Sequence, residues 1–273
     1  MMRLVCRPGS LNLLLAALLA ATASVPVCAQ AVHPAILPAA AAAANVVVEA
    51  PEAGDDSDDA LPLTVMGDFN RDGIADMAQV VIDGGGHSGR GFLVVSLGQA
   101  NGGYRQMAAK SMLGNAPKDI VVGDFNGDGI PDVIVGDDDG ELMLFVGDGT
   151  GNVTPAGDIA HLDSVVSIAV ADFNHDGIPD LAVTDWRATK VTILLGTGKG
   201  TFQSEVSFPL RMPGTTPHLA VADFNGDGIA DLVVVYDDDE GDTFDVMLGT
   251  GKGTFVFAPQ LSLARDPNSH CVT

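Results

Sequence analysis

Basic residues are scarce in this chain of 273 residues: 13 Lys and Arg stand against 36 Asp and Glu, a formal charge of −23. Such a field repels polyanions, which argues against nucleic acid or an anionic membrane as partner. Cysteine is scarcer still. Of three, Cys6 and Cys28 fall in an N-terminal segment that reads as an export signal, leaving Cys271 alone. An exported chain without an internal disulfide must be stabilised by other means. Trp occurs once, as Trp186. The six histidines (His33, His87, His161, His175, His218, His270) show no metal-ligand spacing. Neither G-x-x-x-x-G-K-[ST] nor G-x-G-x-x-G opens a helical pattern, so no phosphate cradle is expected. Gly86-His-Ser-Gly-Arg90 misses G-x-S-x-G by its last residue. No residue is assigned a catalytic role, and the chain reads as a non-enzyme more readily than as an enzyme.

What the chain does have is a repeat. The pattern D-F-N-x-D-G-I-x-D begins at Asp68, Asp124, Asp172 and Asp223. The spacing, about 50 residues, is that of a repeat architecture. Positions 1, 3, 5 and 9 of each copy carry only oxygen-bearing side chains. Calcium, a hard cation, takes six to eight oxygens in a flexible shell. Gly at position 6 permits the sharp turn a convergent loop needs, and the Ile at position 7 offers its backbone carbonyl.

The expected calcium ligands are therefore Asp68, Asn70, Asp72, Ile74 and Asp76 in the first copy, and Asp124, Asn126, Asp128, Ile130 and Asp132 in the second. The third copy supplies Asp172, Asn174, Asp176, Ile178 and Asp180, and the fourth Asp223, Asn225, Asp227, Ile229 and Asp231. About four calcium sites are expected, one per repeat. Asp-Gly is also an ordinary turn dipeptide, but a plain turn has no need of Asp at position 9 in every copy. An EF-hand would place a Glu at position 12. Here that position holds Gln79, Val135, Val183 and Val234, and strand-like runs follow the loops. These are calcium loops between two strands.

The four loops resemble those of the FG-GAP/VCBS repeat family, found in integrin α-chains and in many secreted bacterial proteins. The resemblance covers roughly residues 61–262. It implies an all-β fold, a β-propeller whose blades are four antiparallel strands with calcium in the turn joining strands 1 and 2. It does not imply a particular ligand. The family usually builds seven blades, so four leave an incomplete or truncated propeller as an alternative to a closed ring.

In chain order, residues 1–29 read as a secretory signal, with Arg3 and Arg7 before an apolar core and Val27-Cys28-Ala29 as cleavage site. An uncleaved anchor and lipidation at Cys28 are the alternatives. The core is too short for a comfortable membrane span, so the mature chain is expected to be secreted or extracytoplasmic, with no span. Residues 30–60 form an Ala/Pro-rich, then Asp-rich, linker. The repeats occupy 61–264, with blades at about 61–114, 115–161, 162–212 and 213–264. Residues 263–273 resemble the join between blades three and four, which makes the C-terminal tail, 265–273, a closing strand or the start of a fifth blade.

Within each blade a strand ending in Gly or Ala leads into the loop. The Phe at position 2 (Phe69, Phe125, Phe173, Phe224) is expected to pack between blades. Glycine-rich turns such as Gly196-Thr-Gly-Lys-Gly-Thr-Phe202 join strands 3 and 4 as hairpins, the fourth strands running Phe202–Leu210 and Phe255–Leu263. The strand 2–3 hairpins vary most, and binding usually resides in variable loops. Trp186 and Arg187, in one of them, are the ligand-contacting candidates, against a half-buried hairpin residue as the plainer reading of Trp186. The acidic runs at 137–139 and 237–240 could hold further cations, but such runs read more often as solvated surface. The expected function is a calcium-binding adhesion or binding module for a glycan or an extracellular protein. Alternatives are a polysaccharide-active enzyme or its accessory domain, and a structural fragment of a larger propeller.

Overall fold

The computed structural model describes residues 63–259, except 84–89, 187–188, 212–215 and 238–242. Pro259 apart, these lie in one compact unit, Ala41–Ala258. The expected signal, linker and C-terminal tail fall outside the described residues, as does Arg187.

The described chain is entirely strand and turn, with no helix long and apolar enough to cross a membrane. Four antiparallel sheets follow one another, each four strands in sequence order. The first holds β1 (Thr64–Gly67), β2 (Asp76–Asp83), β3 (Arg90–Gly98) and β4 (Tyr104–Asn115). The second holds β5 (Pro117–Gly123), β6 (Asp132–Asp137), β7 (Glu141–Gly147) and β8 (Val153–His161). In the third are β9 (Ser167–Ala171), β10 (Asp180–Thr184), β11 (Lys190–Gly196) and β12 (Phe202–Pro209). The fourth has β13 (Thr216–Ala222), β14 (Asp231–Asp237), β15 (Thr243–Gly249) and β16 (Phe255–Phe257). This is the expected blade plan, with each candidate loop joining a blade's first two strands. The expected last strand, Phe255–Leu263, stops at Phe257; residues from 260 on lie outside the described set.

The sequence pattern explains the layering. A strand covered on both faces has no polar side to alternate with. Thus β6, Asp-Val-Ile-Val-Gly-Asp, and β10, Asp-Leu-Ala-Val-Thr, are buried at every residue. The first strands meet one another, β1 on β5, β5 on β9 and β9 on β13. The two ends of the series, β13 and β1, are not packed together as the intervening pairs are. The sheets therefore form an open series of four blades.

The core is three seams between sheets. Phe69, Leu93 and Val95 meet Val133, Phe145 and Val153 in the first. Ile134 and Leu144 meet Val170, Leu181 and Leu194 in the second. Phe173 and Ile193 meet Leu232, Val234 and Phe255 in the third. Full burial of such a side chain is worth about 1.5–3 kcal/mol, so each seam is a substantial adhesive surface.

Candidate calcium loops and the hairpin face

In all four loops the side chains at positions 1 and 3 converge on the backbone amide of position 5. In the first, the Asp72 amide donates to Asp68 Oδ1 (3.0 Å) and to Asn70 Oδ1 (2.9 Å), so both oxygens lie against one atom. The Asn70 amide nitrogen donates to Asp72 Oδ2 (3.0 Å), and Gly73 N–H to Asp68 Oδ2 (2.9 Å). The same bonds recur around Asp124–Asp128, Asp172–Asp176 and Asp223–Asp227. The backbone turns sharply enough for this because two residues per loop are left-handed. Gly73, Gly129, Gly177 and Gly228 at position 6 have φ of 78–83°. Position 4 is also left-handed, and there Arg71 (φ 60°) and His175 (φ 66°) stand where the other copies have Gly127 and Gly226.

Position 9 does more than sequence reasoning assigned to it. Asp76 is fully buried; its Oδ2 accepts the amides of Phe69 (2.9 Å) and Asn70 (3.2 Å), and its Oδ1 that of Gly98 (2.8 Å). It pins the entry of the loop to the end of β3. Asp132 and Asp180 repeat all three bonds, and Asp231 those to Phe224 and Gly249. An Asp at position 9 thus has a hydrogen-bonding reason of its own. Burial raises the carboxyls of Asp132 and Asp180 to about 6, against the pull of these amides. Asp76 Oδ1 carries one bond and an ionised carboxyl oxygen has two acceptor positions, so the oxygen set still fits a hard cation.

The glycine that ends each third strand is set by close approach. A Cβ on Gly98, Gly147, Gly196 or Gly249 would lie 2.2–2.3 Å from the carbonyl oxygen of residue 8 of its own loop. The Ile side chain at position 7 fills the space beside it.

Sequence reasoning missed the brace that each of the first three loops receives from the following blade. Gly151 N–H donates to the carbonyl of Phe69 (3.0 Å), Gly200 N–H to that of Phe125 (2.9 Å) and Gly253 N–H to that of Phe173 (2.9 Å). The phenyl rings of those residues are buried by the same neighbour: Phe125 against Phe202 and Phe173 against Phe255, with centroids 6.0 and 5.4 Å apart. Arg71 adds a bond from its guanidinium to the Asp128 carbonyl (3.0 Å), joining loops one and two. Two identical turns, 196–202 and 249–255, were the available signal, but a hairpin explained them without an inter-blade role. Phe224 departs from the expected packing: it is only half-buried, and no following blade covers it among the described residues.

Elsewhere, Asp119 on β5 reaches into the next blade. Its Oδ2 accepts Ile168 N–H (2.6 Å) and its Oδ1 Ile120 N–H (2.8 Å), and burial raises its carboxyl to about 6. Ser167 holds the equivalent place on β9, its Oγ accepting Leu219 N–H at 3.2 Å.

On the hairpin side Trp186 is 59% exposed, and its amide donates to Ser164 Oγ (3.1 Å). Next to Ser164, Asp163 lines a cleft of ≈ 410 Å³ with Asp139, His161, Leu162 and Lys190. Lys190 pairs with Asp163 there at 3.5 Å. Asp137, first of an acidic run, is buried and accepts Glu141 N–H (2.9 Å), and Asp138 pairs with Lys118 (3.4 Å). Among the described residues no three His, Cys, Asp or Glu side chains gather as a metal centre, in the loops or elsewhere.

Solved structures similar to this chain include an Agrocybe aegerita lectin, described for specific recognition of non-reducing terminal N-acetylglucosamine. It is 22% identical with a TM-score of 0.48, over 71% of this chain and 50% of the lectin's. The V. cholerae biofilm matrix protein Bap1 is 17% identical with a TM-score of 0.39, over 78% of this chain and 39% of its own. The chain thus spans half or less of the length of either. No curated protein matches it in sequence. The FG-GAP-like repeat matches it four times, over residues 68–135, 124–183, 178–234 and 223–273. The first three matches start at or near a loop and run into the next blade, the same unit that the loop-to-turn brace joins, and the fourth starts at loop four; the chain belongs to the FG-GAP-like repeat family.

Proposed function

We propose that this chain is an exported, calcium-stabilised repeat module that binds a glycan through its hairpin face. The observation carrying the calcium reading is the convergence of two oxygen-bearing side chains, at positions 1 and 3, on the amide of position 5, repeated in four loops. Asp, Asn and Asp at positions 1, 3 and 5, the Ile carbonyl at position 7 and the free acceptor position of Asp 9 would hold the ion. Bound calcium supplies two positive charges to loops whose carboxylates otherwise repel. Its role is structural: it fixes the turns that each following blade grips. Export supplies the calcium-rich surroundings that weak sites of this kind require.

The glycan reading rests on Trp186. A largely exposed indole is a flat apolar surface for the face of a sugar ring. The adjoining cleft offers Asp139, Asp163, His161 and Lys190 to hydroxyl groups. A surface this acidic disfavours an anionic ligand, so a neutral or amine-bearing glycan fits best.

Two measurements test the proposal separately. Chelation should lower the melting temperature by several degrees, since a ligand at 100 times its Kd adds about 2.7 kcal/mol per site; a melt indifferent to EDTA removes the calcium sites. A glycan array probed with the calcium-loaded chain should then show one preferred class, weakened at least tenfold by Trp186→Ala. Binding that survives this substitution moves the ligand site elsewhere.

A further inference from the structure

The three seams inside the chain follow one recipe. The trailing side presents the loop Phe ring and its carbonyl. The leading side, on the next blade, presents a turn glycine amide and the first residue of the fourth strand. That residue is Val153, Phe202 or Phe255, lying in or against the seam cores. The open series leaves one half of this recipe exposed at each end. On blade four Phe224 is half-buried, and among the described residues no amide donates to its carbonyl. On blade one the matching strand residue is Tyr104, 51% exposed. The matching turn glycine is Gly102. Its amide is used inside its own turn, donating to Gln99 O (2.8 Å), and nothing lies within 4 Å of where its Cβ would be. Gly151, Gly200 and Gly253 instead meet Leu97, Leu144 and Leu195 of the preceding blade.

We propose that these two ends are halves of a fourth seam, completed by a second copy of this chain: blade four of each copy docks on blade one of the other. The interface is continuous with one the molecule already builds three times, and both halves are on one chain, so two copies complement each other. The side chains also fit. At the internal seams, loop position 4 faces the third residue of the next blade's turn. Arg71 lies against Gly149 and His175 against Gly251, while Gly127 lies against Gly198. The side chain, where there is one, is on the loop and the turn is glycine. At the open ends this is reversed: the loop has Gly226, with nothing within 4 Å of its Cβ position, and the turn has Ala100. Head-to-tail contacts close into rings or run on as filaments. Propellers hold four to eight blades, so two copies of four blades close a ring within that range, and three copies exceed it.

Sedimentation of the full chain in calcium tests this. The expected particle has twice the 27.9 kDa of one chain. Phe224→Asp and Tyr104→Asp alter exposed or half-exposed positions and should each sediment as monomers with an unchanged circular dichroism spectrum. Mixed one to one, they should recover dimer, because one seam in the pair is intact; failure of the mixture to recover it overturns a head-to-tail contact. A disulfide identifies the occupant. A Cβ at Gly251 would lie 4.0 Å from that of His175, within disulfide range. In a chain with Cys6, Cys28 and Cys271 replaced by Ser, His175→Cys with Gly251→Cys should therefore oxidise within one chain, as a control. Ala100→Cys with Gly226→Cys should instead oxidise to a species of doubled mass. Oxidation within a single chain shows blade four closing on blade one of its own copy and overturns the proposal. So does a monomer that becomes a dimer only when residues 260–273 are deleted, which makes this chain's own tail the occupant.

Discussion

Loops three and four differ at two of nine positions, His175 against Gly226 and Pro179 against Ala230, yet the chain treats them differently. Phe173 is 1% exposed, its carbonyl held by Gly253 and its ring by Phe255. Phe224 has the same neighbours in sequence and is half-buried. The burial of a loop is therefore a property of the seam behind it. A repeat of this kind is completed only by the next one, as expected where each unit contacts only its neighbours.

The comparison is broken most forcefully at the two phenyl rings. Phe173→Ala should cost about 3–5 kcal/mol, the range for emptying a packed aromatic site. Phe224→Ala, measured by urea denaturation at a concentration where the chain is monomeric, should cost about 1 kcal/mol, since little contact is lost. Equal losses would mean that the ring matters to its own loop and that the seam is incidental.

The sequence carried the blade plan, the loops and their place between strands one and two. Each of these is local: nine residues and a strand period suffice. The role of Phe at position 2 was also legible, because a large apolar residue in a polar loop needs a cover. The braces were not, because an amide donor leaves no mark on residue type; Gly151, Gly200 and Gly253 look like any turn glycine. Asp at position 9 read as a ligand alone, since its three amide partners include Gly98, 22 residues away. Asp119 sat unremarked beside an apolar run, and its partner Ile168 lies 49 residues on.

Asp119 and Ser167 sharpen the comparison between seams two and three. Both accept an amide of the next blade, but only the carboxylate carries a charge that burial opposes. The folded chain holds the Asp119 proton up to about pH 6, while the unfolded chain releases it near 3.8. Between those values the unfolded state binds fewer protons, so this group's contribution to stability falls as pH rises and stays low above the window. Asp119→Asn should remove that fall. The difference in melting temperature between wild type and variant, followed from pH 3.5 to 7.5, should change through about pH 4–6. Ser167→Ala should move the upper end of the window higher, because the hydroxyl helps hold the charged form. A difference that is flat in pH would place the Asp119 carboxylate in water.

A smaller effect separates braced from unbraced turns. Gly253 and Gly102 both have left-handed backbones, φ 68° and 82°. Alanine at either should be strained by about 1 kcal/mol. At Gly253 the new Cβ also lies 2.9 Å from Leu195 Cδ2, whereas at Gly102 it meets nothing. Gly253→Ala should therefore be the more destabilising by about 1 kcal/mol, as overpacking is. Chemical denaturation of the pair reads this directly, and equal losses would show a turn free to shift away from blade three.

The smallest effect concerns position 4 of the loops. Arg71 and His175 adopt a left-handed backbone that costs a side-chain-bearing residue about 1 kcal/mol. Glycine there would relieve that strain, as Gly127 and Gly226 do in the other copies. His175→Gly should accordingly stabilise the chain by up to about 1 kcal/mol, less the backbone entropy that glycine restores to the unfolded state. Arg71→Gly relieves the same strain but gives up the guanidinium bond to the Asp128 carbonyl, worth about 1 kcal/mol when a charged donor is exposed. The two terms nearly cancel, so Arg71→Gly should leave the melting temperature unchanged while His175→Gly raises it. If both substitutions stabilise equally, the Arg71 bond contributes nothing, and loops one and two are joined only by the Phe69 brace. If Arg71→Gly destabilises, the bond outweighs the strain, and this side chain is a genuine second strut across the first seam.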